Sequence, residues 1–200
     1  LFKTISNPII SNTLTAFIKV AMWLHLPISW AIKATVYKHF CGGTTIENSQ
    51  ATIDKLWESN IGTILDFSAE GKENEEDFNL AMNETIASIQ KAKSESSIPF
   101  SVFKPTGLAR FALLEKISNN SNLTKEEEIE KTNFEGRIEN ICQTASDNKV
   151  PLFIDAEESW IQGAIDDIAI KMMQKFNKNE AWIYNTLQLY RNDRVDHLEM

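Results

Sequence analysis

The sequence holds little cysteine, little glycine or proline, and fewer bases than acids, and each shortage excludes something. Two cysteines, Cys41 and Cys142, stand far apart in the 200 residues. With no secretory leader expected, two such thiols point to a reducing cytosol and do not make a disulfide framework. His25, His39 and His197 lie far from both cysteines, so no metal-ligand spacing exists and no metal is expected. The Asn-x-Ser/Thr matches at Asn83, Asn119 and Asn122 have no meaning without secretion. Seven glycines and five prolines, beside 42% hydrophobic and 24% charged residues, exclude low-complexity and disordered chains. Twenty Lys and Arg against 28 Asp and Glu give a net charge of −8. Nucleic-acid binding needs clustered base and is not expected, although a single cation in a cleft would be invisible in that total. No uncharged apolar run reaches the roughly 20 residues of a membrane span. Ala16–Ile32 comes nearest, but Lys19, His25 and Pro27 interrupt it. It reads as a packed N-terminal helix pair, with an interfacial membrane helix as the alternative.

What is present is alternation. Short apolar runs, rich in β-branched and aromatic residues, occur at Val36–Phe40, Gly62–Phe67, Phe100–Phe103, Val150–Ile154 and Trp182–Leu189. Runs of this length suit buried parallel strands. Between them lie amphipathic stretches of helical spacing at Thr45–Ser59, Glu75–Ser94 and Ser159–Phe176, and another begins at Arg191–Met200. Ala109–Lys149 holds two helices split by the polar run Ser118–Lys125. The charge run Glu126–Glu130 is a solvated helix start.

Strands alternating with helices, with no hairpin signal, predict parallel βα units. No Gly-x-Gly-x-x-Gly opens a helix, which disfavours a dinucleotide-binding domain and leaves another doubly wound sheet open. The expected fold is α/β, a partial (β/α)8 TIM-type barrel of about five parallel strands. A helical segment over residues 1–35 precedes the barrel segment, 36–200. A whole barrel needs eight strands, so this one is expected to stop after the fifth.

In such a barrel the chemistry sits at the carboxyl ends of the strands. There the sequence places Asp66 to Glu70, Lys104-Pro105-Thr106, Asp155-Ala156-Glu157-Glu158 and, inside an apolar run, Asn185, Thr186 and Gln188. Lys104 either reaches water along its flexible stem or completes a polar pocket with Glu70, Asp155 and Glu157. Asp155 closes the most apolar strand. It serves either as a salt bridge or helix cap, or as a carboxylate that orients a cationic substrate. Gln188 is satisfied by backbone or bonds a ligand's ring.

The strings Ile64-Leu65-Asp66-Phe67-Ser68-Ala69-Glu70-Gly71, Phe103-Lys104-Pro105-Thr106-Gly107-Leu108, Phe153-Ile154-Asp155-Ala156-Glu157-Glu158-Ser159-Trp160 and Ile183-Tyr184-Asn185-Thr186-Leu187-Gln188-Leu189-Tyr190 resemble the proline dehydrogenase family, in its order and at similar intervals. Lys33 to Gly43 resembles the segment leading into that family's first strand. The resemblance implies a distorted (β/α)8 barrel that binds FAD and oxidises L-proline to Δ1-pyrroline-5-carboxylate, passing electrons to a membrane quinone. Residue by residue, Lys104 matches the lysine near the proline carboxylate and Asp155 an aspartate of the substrate pocket. Glu70 matches a glutamate that pairs with a substrate-binding arginine. Ala156 falls where backbone meets the flavin, and Gln188 matches a glutamine that contacts it. Asp66 is expected to be structural. Pro105 departs from the aliphatic residue usual in the family. A Val-Lys-Gly-Ala-Tyr strand and a pair of carboxylate-gripping arginines are missing, so the resemblance implies an incomplete barrel, inactive alone. The expected location is the cytoplasm, with a peripheral position on the inner membrane face as the alternative. A flavin barrel for another cyclic amine, and a non-catalytic relative that binds a ligand or partner, are the competing expectations.

Overall fold

The computed structural model describes residues 8–27, 41–67 and 71–199. The expected strand Val36–Phe40, the boundary after residue 35 and Glu70 lie outside the described residues. The chain divides into two compact units, Leu1–Asn48 and Ser49–Met200.

In the first unit, helix α1 runs from Pro8 to Trp23 with Lys19 as its one charged residue. It ends where His25 takes a left-handed φ of 54° and the Leu26 amide donates to Ala21 O, ahead of Pro27, which cannot continue a helix. Phe17, Met22 and Trp23 are exposed. Among the described residues no helix is long and apolar enough to cross a membrane. Helix α2, Ile46–Trp57, begins in this unit and continues into the next. Its start is fixed by Thr45, whose hydroxyl oxygen accepts from the Asn48 amide at 3.1 Å.

The second unit carries α3 (Glu75–Ser94), β1 (Ser101–Phe103), α4 (Phe111–Ser118), α5 (Lys125–Asn148), β2 (Leu152–Ile154), α6 (Gln162–Phe176), β3 (Ile183–Asn185) and α7 (Arg194–Leu198). The helix limits follow local chemistry. Asn74 caps α3 through the Asp77 amide, and Thr124 with Glu127 forms a reciprocal capping box at α5, each satisfying amides that a helix start leaves free. The three strands form one sheet in the order β1-β2-β3, both pairs parallel. Leu152, Ile154 and Ile183 are fully buried and join Ile89 of α3, Ile138 and Ile141 of α5, and Ile165, Ile168 and Met172 of α6 in one apolar core.

Two expected strands are altered. Gly62–Phe67 forms no strand. It is tied to its neighbour by Thr63, whose amide donates to Ser97 O. Gly62 sits against the ring of Pro99, where an added Cβ would come within 3.1 Å, and Pro99 has no N–H to donate, so a ladder is broken there. The run Trp182–Leu189 pairs only over Ile183–Asn185, because beyond it side chains replace the backbone ladder: the Ala156 amide donates to the Thr186 hydroxyl at 2.6 Å. Of the four expected strands that fall on described residues, three form and Gly62–Phe67 does not. Helix α6 starts at Gln162 rather than Ser159, and α7 spans five residues only.

Candidate active site

Alternation along the strands decides which side chains meet. In register, Val102 stands beside Phe153 and Phe153 beside Tyr184, on the face that the helices leave half-buried. Two residues further along each chain, the same face presents Lys104, Asp155 and Thr186. Below this polar rim lies an aromatic layer. Phe100 stacks on Phe153 with centroids 4.8 Å apart, and Phe153 meets Tyr184 edge-on at 5.7 Å.

At the carboxyl ends of the strands a cavity of about 570 Å³ is lined by Lys104, Thr106, Asp155, Ala156, Glu157, Glu158 and Gln188, with Gly71, Phe111 and Tyr190 at its margin. Four of the five site residues expected from the sequence thus line one cavity. The fifth, Glu70, lies outside the described residues. Lys104 Nζ is 3.9 Å from Asp66 Oδ2, so Asp66 acts on the lysine directly. Asp155 caps no helix: Ile161 stands at the N-cap of α6. The Thr186 hydroxyl lies 3.3 Å from Asp155 Oδ1 and equally 3.3 Å from Ile154 O.

The rim is held by a latch that spacing did not reveal. The Thr106 amide and hydroxyl donate to the two carboxylate oxygens of Glu157 at 2.9 and 2.5 Å, joining the turn after β1 to the loop after β2. Burial pushes the Glu157 carboxyl above its ordinary range, against the pull of both Thr106 bonds. The Glu157 backbone is gripped on both sides: its amide donates to Gln162 Oε1 at 2.9 Å, and its carbonyl accepts from Gln188 Nε2 at 2.7 Å. The side-chain amide NH2 of Gln188 is so used, while its Oε1 is buried and accepts no hydrogen bond among the described residues.

Behind the first turn, Arg137 of α5 is 5% exposed. Its Nε donates to Leu108 O at 3.1 Å, Nη1 reaches Glu75 Oε2 at 2.7 Å, and the guanidinium lies over the Phe78 ring at 5.2 Å. The turn that carries Lys104 and Thr106 is therefore fixed from below. Residue type alone gave no sign of this, since Arg137 sits in a helix rich in charge.

Among the described residues no group of His, Cys, Asp and Glu could hold a metal. The cavity offers one ammonium, from Lys104, the carboxylates of Asp155, Glu157 and Glu158, and the aromatic side chains of Phe111 and Tyr190.

The sequence profile described as proline dehydrogenase matches residues 49–200. The carbapenem antibiotics biosynthesis protein CarD of Pectobacterium carotovorum subsp. carotovorum is 32% identical over 160 residues, which cover 80% of this chain and 43% of that protein. Proline dehydrogenase 1, mitochondrial, of Dictyostelium discoideum is 28% identical over a match covering 95% of this chain and 40% of its own length. The Arabidopsis thaliana protein of the same description is also 28% identical, with 84% and 42% covered. The chain thus spans about two-fifths of the length of these relatives. Among solved structures, proline utilization A from Bdellovibrio bacteriovorus matches with a TM-score of 0.69 at 14% identity, over 86% of this chain and 19% of that one, a likeness of fold. The profile covers most of the sequence and contains every residue of the cavity: the chain belongs to the proline dehydrogenase family.

Proposed function

We propose that the protein oxidises L-proline to Δ1-pyrroline-5-carboxylate with FAD, and that this chain supplies part of the pocket where the reaction occurs. The observation that carries the reading is one cavity lined by Lys104, Asp155 and Gln188, whose buried carbonyl oxygen accepts no hydrogen bond among the described residues. A buried acceptor that no protein group satisfies needs a donor from a ligand, and the N–H of a flavin ring is a donor of that kind. The residues present therefore fit the cofactor. Ala156 lines the same cavity, with its amide engaged by Thr186. FAD, when bound, supplies the hydride acceptor that side chains lack.

The chain's own residues bind and orient. Lys104 pairs with the substrate carboxylate as a compact ammonium. Asp155 faces the ring nitrogen, so the two ends of the zwitterion are answered from adjacent strands and the carbon beside nitrogen is held in one place. Glu70 is assigned a supporting role, pairing with a substrate-binding arginine. A membrane quinone is the proposed final electron acceptor, and the cytoplasm, at the membrane surface, the proposed location. The test uses the full-length gene product: it should purify with flavin, and anaerobic L-proline should bleach the flavin absorbance. A flavin spectrum that proline leaves unchanged rejects the assignment.

A second reading is oxidation of a different cyclic amine, favoured by the 32% identity to a protein named for carbapenem antibiotics biosynthesis. Bleaching by hydroxyproline or another cyclic amine in preference to proline would select it, and open-chain amines serve as the negative comparison.

A further inference from the structure

Asp166 lies on α6, outside the cavity, and is 5% exposed. Its carboxylate gathers donors from three places. Gln162 Nε2 donates to Oδ1 at 2.8 Å, Asn185 Nδ2 to the same oxygen at 3.0 Å, and Arg194 Nη1 to Oδ2 at 2.5 Å, while His197 Nε2 stands 3.8 Å from Oδ1.

These partners matter for where they sit. Asn185 is the last residue of β3 and Arg194 the first of α7, so one carboxylate fastens both ends of the segment carrying Thr186, Gln188 and Tyr190. Gln162, oriented by Asp166, presents its carbonyl to the Glu157 amide, and Gln188 takes the Glu157 carbonyl. Two rim loops are thereby referred to one buried group. A buried ion pair contributes little net stability compared with an apolar replacement, so stability alone gives no reason for a charge here. Acceptor capacity does: an ionised carboxylate can serve all three donors, whereas an amide in its place has one oxygen and would turn its own donors toward Gln162 or Arg194.

We propose that Asp166 is a positioning residue, acting through Gln162, Asn185 and Arg194 to hold the Asp155–Glu158 loop and the Gln188 segment so that the free carbonyl of Gln188 faces the cofactor. This rests on the reading of Gln188 as a flavin contact.

The full-length gene product with Asp166→Asn, and separately Gln162→Met, is compared with wild type and with Ile138→Val, a change in the apolar core on α5. Amide hydrogen exchange is measured on cofactor-free protein, and FAD affinity by titration. Loss of one such bond speeds exchange at Glu157 by about tenfold and weakens FAD binding by about tenfold, while Ile138→Val alters neither beyond its global effect. Should Asp166→Asn fail to fold, the milder Gln162→Met carries the comparison. Unchanged exchange at Glu157, or a loosened loop with unchanged FAD affinity, overturns the proposal. Wild-type protein that takes up no FAD overturns the functional reading instead, and the exchange arm then decides whether Asp166 holds the loops.

Discussion

Lys104 shows how position decides a residue's role. A lysine at the end of an apolar strand can reach water along its stem, and the sequence left that reading open. The register settles where it sits, on the face it shares with Asp155 and Thr186 and within 3.9 Å of Asp66. Replacing it with an apolar chain of similar length, Lys104→Met, should raise KM for proline in the full-length gene product by roughly 10- to 100-fold, the worth of a hydrogen bond to a charged group. A smaller change in kcat is expected, because in the proposed function the lysine binds the carboxylate before and during reaction alike. A kcat loss at constant KM would assign Lys104 to the transition state instead. The cysteines make a second residue-scale case. Cys41 is exposed and Cys142 buried, both unpaired, and burial pushes the Cys142 thiol far up. A thiol reagent should therefore titrate Cys41 in the native chain and reach Cys142 only on unfolding. Equal native rates would contradict the burial.

At the scale of elements, the loops after β1 and β2 are joined by Thr106 and Glu157. Thr106→Val keeps the shape but leaves one half-buried carboxylate oxygen without its hydroxyl donor. It should cost about 1–3 kcal/mol in urea unfolding. No loss would mean that water replaces the hydroxyl. The two carboxylates near the rim also give opposite pH signatures. Burial raises the folded value of Glu157 above its ordinary 4.5, so its contribution favours folding fully below that value and is lost as pH rises through the folded one. For Asp166 burial works upward, but the bonds from Gln162, Asn185 and Arg194 prevail and hold it below its ordinary 3.8. Its contribution is present above 3.8 and is lost as pH falls through the depressed folded value. Subtracting the stability profile of Glu157→Gln from wild type should therefore show a difference that changes at the weakly acidic side. The Asp166→Asn difference should change only in strong acid. Profiles of the same sign for both would refute these surroundings. Helices were the most legible elements, because Asn74 and Thr124 carry their start signals locally and apolar spacing shows a buried face. Strand ends were the least legible. Nothing in Gly62–Phe67 itself discloses that Pro99 lies beside it, and nothing in Trp182–Leu189 discloses that Thr186 trades a backbone bond for a side-chain one.

At the scale of the second unit, helices α3, α5 and α6 share one apolar core with the buried faces of three strands. Ile165 is fully buried within it, and Ile165→Ala should cost about 2–5 kcal/mol as lost transfer energy and a cavity, read as a shift in urea midpoint. A cost near zero would mean that the core collapses around the change. The amino-acid order by itself determined the parallel βα class, the helix limits to within a few residues, and the polar groups at the strand ends, because these depend on periodicity and on contacts between near neighbours. The tertiary structure alone decided that Lys104, Asp155, Ala156 and Gln188 line one cavity, that Glu157 latches onto Thr106, and that Arg137 and Asp166 fix the rim from behind. Apart from the bond between Gln162 and Asp166, those bonds join residues 19 to 62 positions apart along the chain. Register and packing create such neighbours, and no local pattern encodes them.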